Sequence, residues 1–211
     1  MLIVLLGPPG VGKGTQGELL ARALGVPKIA TGDVLRAAVN AGTPMGLAAQ
    51  AAMARGDLVP DDVILGIIRD AIASPDAARG AVLDGVVRTV PQAEGLRSML
   101  ASVGRPLDRV LLFDASFDEL VRRLSARTTC ANCQTPYTGR EPGTTCDKCG
   151  GTLVRRADDE PASVRRRIEV YEQQTAPVVA WYRSHGLAVT TVNALGALED
   201  VAARTRTAIA A

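Results

Sequence analysis

A glycine-rich loop directly behind an apolar strand is the feature that most constrains how this chain folds. Residues 2–6 are all aliphatic, and the sequence GPPGVGKGT follows at 7–15. A strand, a glycine loop and then a helix is the arrangement in which backbone N–H groups and the helix dipole together bind phosphate. Lys13 would bring positive charge to the outer phosphates, and Thr15 would place a hydroxyl near a metal ion. Gly14 separates the two, so the loop is a GKGT variant of the strict pattern; a plain glycine-rich turn is the alternative interpretation.

Length, hydropathy and charge argue against several classes of protein. The 211 residues, 47% of them hydrophobic, suffice for one α/β domain with insertions. No apolar run approaches the ~20 residues that cross a bilayer, and the short N-terminal run lacks a basic flank, so we expect a core strand there and not a signal peptide. A net charge of +2, with one Trp, three Tyr and two Phe, does not favour nucleic-acid binding. We expect a cytoplasmic protein with no nucleic-acid or membrane partner, and we also expect it to be a monomer.

Short apolar runs alternate with helix-length segments along the chain. This pattern predicts a doubly wound parallel sheet with helices on both faces. The predicted strands are residues 2–6, 29–30, 81–83, 110–113 and 187–192. The predicted helices include Lys13–Leu24 ending at Gly25, one beginning at Pro91, and a long one from Pro161 towards Arg183 with a kink at Pro177.

All four cysteines lie in one segment that breaks the α/β rhythm, between residues 127 and 159. They form two CxxC pairs, Cys130 with Cys133 and Cys146 with Cys149. Four thiolates at this kind of spacing are typical of a tetrahedral structural zinc site, although the 12 residues between the pairs are fewer than the usual 15–20. A redox pair, another metal or free thiols are the alternatives. Because the segment is too polar to bury much core, we expect the metal to supply its folding energy.

Asp84 and the arginines are the other candidate functional residues. Asp84 follows the apolar run 81–83, a position from which a carboxylate acts on Mg²⁺, usually through water; a turn or helix cap is the alternative. The arginines supply the cations that phosphoryl transfer needs, and we expect about half of them to be surface groups. The single histidine, His185, is expected at a solvated helix end, so histidine chemistry is not expected.

Further motifs follow the loop in a fixed order. They are Ala30-Thr31-Gly32-Asp33 with Leu35-Arg36, Leu83-Asp84-Gly85 with Arg88-Thr89, Pro91-Gln92, Arg123 and Arg127, the cysteine segment, Arg156-Ala157-Asp158-Asp159, and Arg165-Arg166-Arg167. Together they cover nearly the whole chain, which resembles the adenylate kinase family in its bacterial form with a long zinc-bearing lid.

The resemblance implies a P-loop nucleoside monophosphate kinase fold with a five-stranded parallel sheet and two mobile inserts. The core would comprise residues 1–29, 60–125 and 160–211; residues 30–59 would form a flap over AMP, and residues 126–159 a zinc-binding lid over ATP. The implied reaction is the reversible transfer of a phosphoryl group from MgATP to AMP, giving two ADP. Catalysis would come from in-line positioning and electrostatic stabilisation, with lid closure excluding water.

The resemblance also implies roles for individual residues. On the ATP side these are Gly10, Val11, Gly12, Lys13, Gly14, Thr15, Arg127, Pro136, Tyr137 and Gly196. On the AMP side they are Thr31, Arg36, Asp57, Leu58, Val59, Gly85, Val86, Val87, Arg88, Gln92, Arg156 and Arg167. The catalytic clamp on the transferring phosphoryl group would be Lys13, Arg88, Arg123, Arg156 and Arg167. Asp84 would hold Mg²⁺ through water, and Cys130, Cys133, Cys146 and Cys149 would bind zinc.

The chain departs from the family pattern at residues 86–87, where Val-Val replaces Phe-Pro. The family proline is commonly cis, but a cis bond before Val87 would cost about 2.5–4 kcal/mol, so we expect a trans bond. Two alternative functions remain open. One is a related kinase such as a GTP:AMP phosphotransferase, although Thr31 and Gln92 match the AMP-selecting pattern. The other is a zinc-ribbon nucleic-acid-binding module fused to a P-loop domain.

Overall fold

A five-stranded parallel sheet carries the glycine loop and forms the centre of the molecule. The structure is a computed structural model that describes residues 1–210. The strands are β1 (Leu2–Leu6), β2 (Lys28–Ala30), β3 (Ala81–Asp84), β4 (Arg109–Asp114), β5 (Arg127–Cys130), β6 (Pro136–Thr138), β7 (Leu153–Val154) and β8 (Val189–Asn193). The central sheet has the order β2-β3-β1-β4-β8, and all its neighbours are parallel. This confirms the predicted α/β P-loop fold, with the last strand beginning two residues later than expected.

Helices cover both faces of this sheet. They are α1 (Lys13–Leu24), α2 (Thr31–Asn40), α3 (Pro44–Arg55), α4 (Asp61–Ala73), α5 (Val90–Ser102), α6 (Phe117–Ser125), α7 (Pro161–Val170), α8 (Ala176–Ser184) and α9 (Leu198–Ala210). The sequence predicts α1 correctly because Gly25 ends it in the left-handed conformation that favours glycine (φ 63°). The Thr89 hydroxyl caps α5 by accepting the N–H of Gln92, with Pro91 in the first turn.

The predicted long helix from Pro161 is interrupted before the expected kink. A π-helical turn, Tyr171–Thr175, separates α7 from α8, and Pro177 lies in the first turn of α8. Proline has no N–H, and its ring crowds the carbonyl four residues earlier. The regular α-helical hydrogen bonds are therefore interrupted before Pro177, and the preceding turn widens into a π-helix. Further along, His185 ends α8 in solvent, as expected.

Strand β1 shows how the core divides between the two faces. Leu2, Val4 and Leu6 pack with α4, α5 and α8 on one face, whereas Ile3 and Leu5 pack with α1 and α9 on the other. Side chains alternate along a strand, and both faces are covered, so all five residues are buried. The carboxyl end of β1 therefore delivers the glycine loop from a rigid base.

Two smaller groups of elements lie outside the central sheet. Helices α2 and α3 lie within residues 30–59, here called the flap, and β5, β6 and β7 form an antiparallel sheet within residues 126–159, here called the lid. The cysteine segment is therefore built of short strands and turns, in agreement with its composition. Within residues 1–210, no helix combines the length and the apolar character needed to cross a membrane.

Candidate active site

A cleft of about 530 Å³ opens at the carboxyl edge of the sheet, between the flap and the lid. It is lined by the glycine loop, the end of β3, the flap helix α2, the lid and the start of α9. The structure brings most of the predicted ATP-side and catalytic residues together here. They are Gly10, Val11, Gly12, Lys13, Gly14, Thr15, Asp84, Arg88, Arg123, Arg127, Pro136, Arg156, Arg167 and Gly196.

Lys13 folds back over its own loop. Its Nζ donates to the carbonyl oxygens of Gly7 at 2.6 Å and Pro8 at 2.9 Å. Burial lowers the pKa of Lys13 to about 8, even though the charge of Asp84 acts in the opposite direction. A cation held in so poorly solvated a place gains from an approaching anion, because the anion restores the stabilisation that water no longer provides.

The close approach of Asp84 explains why glycine stands at position 14. A Cβ on Gly14 would lie 3.3 Å from Asp84 Oδ2, which is tighter than ordinary van der Waals contact. Burial raises the pKa of Asp84, and the positive charge of Lys13 opposes that rise. The GKGT variant thus leaves room for a carboxylate beside the loop, and a hard oxygen ligand there fits Mg²⁺.

Arg123 is fixed by the loop and by the start of the C-terminal segment. Its guanidinium donates to the carbonyl oxygens of Val11 at 3.0 Å and Ala194 at 2.8 Å, and to Glu119 Oε1 at 2.6 Å. Three acceptors on separate elements hold the group at the cleft wall. Arg123 is therefore pre-organised beside the glycine loop.

Asp159 joins the lid to α7 and was missed as an organising residue. Its carboxylate, with none of its side chain exposed, accepts from Arg127 Nε at 2.8 Å, from Arg127 Nη2, and from Arg167 Nη1 at 3.0 Å. Arg167 also pairs with Asp158 Oδ2 at 3.0 Å. The sequence marks this position only as the last residue of the motif at 156–159, which gives no sign of the arginines that its carboxylate binds.

Arg156 stands apart from these ion pairs. Burial lowers its pKa to about 9, with the charge of Arg36 acting in the same direction. Its Nε is buried and has no hydrogen-bond partner within residues 1–210. An unsatisfied charged donor at the cleft wall is suited to an anionic ligand.

A small cavity of about 60 Å³ lies on the flap side of the cleft. It brings together most of the residues predicted for AMP: Thr31, Arg36, Asp57, Leu58, Val59, Gly85, Arg88, Gln92 and Arg167. The Thr31 hydroxyl donates to the carbonyl of Gly85 at 3.0 Å, which ties the flap to the end of β3. Asp57 accepts from Arg55 and Arg166, each at 2.9 Å, so its carboxylate serves the flap's attachment to α7.

The four cysteines form one cluster in the lid. They are free, and their Sγ atoms all lie within 4.8 Å of one another. Cys130 and Cys149 are 3.4 Å apart, and Cys133 and Cys146 are 3.6 Å apart. A tetrahedral zinc ion with Zn–S bonds near 2.3 Å needs sulfur separations of about 3.8 Å. The cluster could therefore bind zinc.

Comparison with known proteins decides the family. A sequence model of adenylate kinase matches residues 5–187. This chain belongs to the adenylate kinase family. It is 64% identical over 211 residues to an adenylate kinase of Gemmatimonas aurantiaca, with 99% of each chain covered. Adenylate kinases of Trichlorobacter lovleyi (45% identical, 99% of each chain) and Acidothermus cellulolyticus (48% identical, 97% of this chain and 95% of that one) are also similar. The family transfers a phosphoryl group from ATP to AMP, so the chain is a nucleoside monophosphate kinase.

The structure differs from the adenylate kinase resemblance at Tyr137. Along β6, the neighbours Pro136 and Thr138 line the cleft, so the intervening side chain points to the opposite face. The hydroxyl of Tyr137 lies 3.2 Å from Cys146 Sγ and accepts the N–H of Asp147 at 3.1 Å. The Tyr137 ring therefore supports the cysteine cluster and does not line the cleft, and contact of residues 136–137 with ATP stays a prediction.

The second difference concerns residues 86–87, where the family has Phe-Pro. Val86 and Val87 are 0% and 1% exposed and pack in the core. The resemblance implied that both residues belong to the AMP side, but their side chains do not line the flap-side cavity. The structure has no cis peptide bond within residues 1–210, which confirms the trans expectation before Val87. Arg88 is presented by hydrogen bonds instead: its N–H donates to Gln92 Oε1 at 2.7 Å, and its carbonyl accepts from Thr175 Oγ1 at 2.8 Å.

Gln92 is itself held by a residue that the sequence did not identify. Asp61 Oδ1 accepts from Gln92 Nε2 at 2.7 Å and from Thr89 Oγ1 at 3.2 Å. The Gln92 amide therefore donates to Asp61 and accepts from Arg88, which orients it at the cavity wall. No local motif marks Asp61, whose first-turn position in α4 is common for any acidic residue.

Proposed function

We propose that the two halves of the cleft divide the adenylate kinase substrates, with MgATP on the glycine loop and AMP in the flap-side cavity. The observation that carries the proposal is the convergence of five cationic side chains on the main cleft: Lys13, Arg88, Arg123, Arg156 and Arg167. Phosphoryl transfer involves little covalent chemistry for the protein, so positioned cations supply most of the catalysis. No covalent intermediate is involved.

On the ATP side, the loop from Gly10 to Thr15 binds the phosphates through backbone N–H groups, and Arg127 and Gly196 lie where the lid and the C-terminal segment meet the nucleotide. Lys13 exchanges its bonds to the loop carbonyls for phosphate oxygens. Asp84 would hold Mg²⁺ through water, and the ion would neutralise phosphate charge. Desolvation of Lys13 supports this role, because its pKa of about 8 rises when a phosphate replaces lost water.

On the AMP side, Thr31, Arg36, Gln92 and the backbone of residues 57–59 surround the nucleotide, with Arg88 and Arg167 at its phosphate. Arg156, with its unsatisfied Nε at the wall of the main cleft, contacts the moving phosphoryl group. Closure of the flap and lid excludes water, which would otherwise accept that group. The four cysteines would hold a structural zinc ion, since four thiolates can supply all the ligands of a tetrahedral site. The protein acts as a cytoplasmic monomer.

The experiment is a coupled assay of ADP formation from ATP and AMP. We expect ADP only with Mg²⁺ and both nucleotides, and a loss of several orders of magnitude in rate for Lys13→Ala, because the variant removes charge from the transition state. Lys148→Ala, which removes an exposed lysine in the lid, is the matched control and should stay near wild type. Near-normal turnover by Lys13→Ala would contradict the role of the loop, and a preference for GTP over ATP would favour the related phosphotransferase.

A further inference from the structure

Gln134 has an unusual backbone conformation immediately after the first cysteine pair. Within residues 1–210 it is the only residue other than glycine with a positive φ, 60°. Its N–H donates to the carbonyl of Cys130 at 3.1 Å, so the turn that gathers Cys130 and Cys133 also imposes the left-handed conformation. The cysteine turn therefore fixes the direction in which the Gln134 side chain leaves the lid.

That side chain reaches across to the flap. Its Nε2 donates to the carbonyl of Ala131 at 3.0 Å, which orients the amide so that Oε1 faces outwards. Oε1 accepts from Arg36 Nε at 3.2 Å. The far side of the same guanidinium pairs with Asp33 through Nη2. Arg36 is thus held from two directions, once by its own flap and once by the lid.

We infer that Gln134 is a positioning residue for AMP: it orients the Arg36 guanidinium when lid and flap meet. The inference rests on the proposed function, in which Arg36 binds the AMP side. A neutral amide suits the task, because it fixes Nε without competing with phosphate for the positive charge. A lid residue thereby acts on the substrate that the lid does not cover.

A second contact between the same parts provides a matched control. Asn40 Nδ2 donates to the carbonyl of Ala131 at 3.4 Å, so it also joins the flap to the cysteine turn, but it forms no hydrogen bond with Arg36. If the contact merely fastened the flap to the lid, loss of Asn40 and loss of Gln134 would have similar effects. If Gln134 orients Arg36, only its own loss should affect AMP.

The test compares Michaelis constants for the two substrates. Gln134→Gly removes the amide and accepts the positive φ without strain, and Gln134→Asn, also tolerant of this conformation, is too short to span both partners. Each should raise the KM for AMP by about three- to tenfold, the usual net effect of one intramolecular hydrogen bond, and change the KM for ATP by less than about twofold. Asn40→Ala should change neither constant by more than about twofold.

A double-mutant cycle with Arg36→Lys tests the pair directly. Lysine has no Nε fork to meet Gln134, so Gln134→Gly should add no further increase in that background. Equal effects on both Michaelis constants, equal effects of Asn40→Ala and Gln134→Gly, or a full extra increase in the Arg36→Lys background would each overturn the inference. A wild-type protein that forms no ADP from ATP and AMP would instead overturn the proposed function.

Discussion

Substitution of Asp159 by asparagine should weaken both the fold and the cleft. The carboxylate has none of its side chain exposed and binds two guanidinium groups, those of Arg127 in the lid and Arg167 in α7. Asparagine keeps the volume and one acceptor but turns an NH₂ group towards an arginine. Breaking a buried ion pair from one side costs roughly 3–5 kcal/mol, because the partner charge stays buried without compensation.

Because asparagine retains one acceptor, we expect Asp159→Asn to lower the free energy of unfolding by about 3 kcal/mol, measured by urea denaturation. For a chain of this length this corresponds to a fall of about 6–12 °C in melting temperature. The Michaelis constants for ATP and AMP should both rise, since Arg127 lines the main cleft and Arg167 lines the flap-side cavity.

The matched control is Glu169→Gln on α7. Its carboxylate pairs with Arg166 at 3.8 Å, and 60% of the side chain is exposed, so the loss should be at most about 0.5 kcal/mol. The reasoning would be refuted if Asp159→Asn unfolded within about 1 kcal/mol of wild type, or if both Michaelis constants stayed unchanged. Either result would mean that the two arginines are held by other groups.

Two further predictions concern Lys13 and Tyr137. Burial lowers the pKa of Lys13 from 10.5 to about 8, so kcat/KM for ATP should fall as pH rises through about 8. The free energy of unfolding should instead rise between about pH 8 and 10.5, because over this range the unfolded chain keeps a proton on Lys13 that the folded chain has lost. A Lys13→Met variant should lack this rise in urea denaturation. A kcat/KM for ATP that does not change with pH would contradict the role of Lys13. Tyr137→Phe removes the hydroxyl beside Cys146. In chelator competition the variant should bind zinc about tenfold more weakly than the wild type, with little change in the KM for ATP. A raised KM for ATP with unaltered zinc affinity would instead return Tyr137 to the ATP site.

Local chemistry made much of the fold predictable. The bounds of helix α1 were predicted correctly because a glycine-rich loop precedes the helix and Gly25 ends it. Four of the five strands of the central sheet were found within one residue at each end, since a strand buried on both faces must be an unbroken apolar run. The helix is interrupted earlier than the predicted kink at Pro177. The sequence shows which residue cannot donate a backbone hydrogen bond, but not how the preceding turn adapts.

The sequence by itself determined the family, the phosphate loop and the four-cysteine cluster, because these depend on residue types at short and regular spacings. Only the tertiary structure decided which side chains meet across the cleft. Asp159 joins Arg127 to Arg167, and Gln134 meets Arg36 from a segment 98 residues away. Tyr137 turns from the cleft to the cysteines because strand β6 alternates its faces, and its register is set by pairing with β5. Such contacts depend on the orientation of whole elements, which no local pattern of residues encodes.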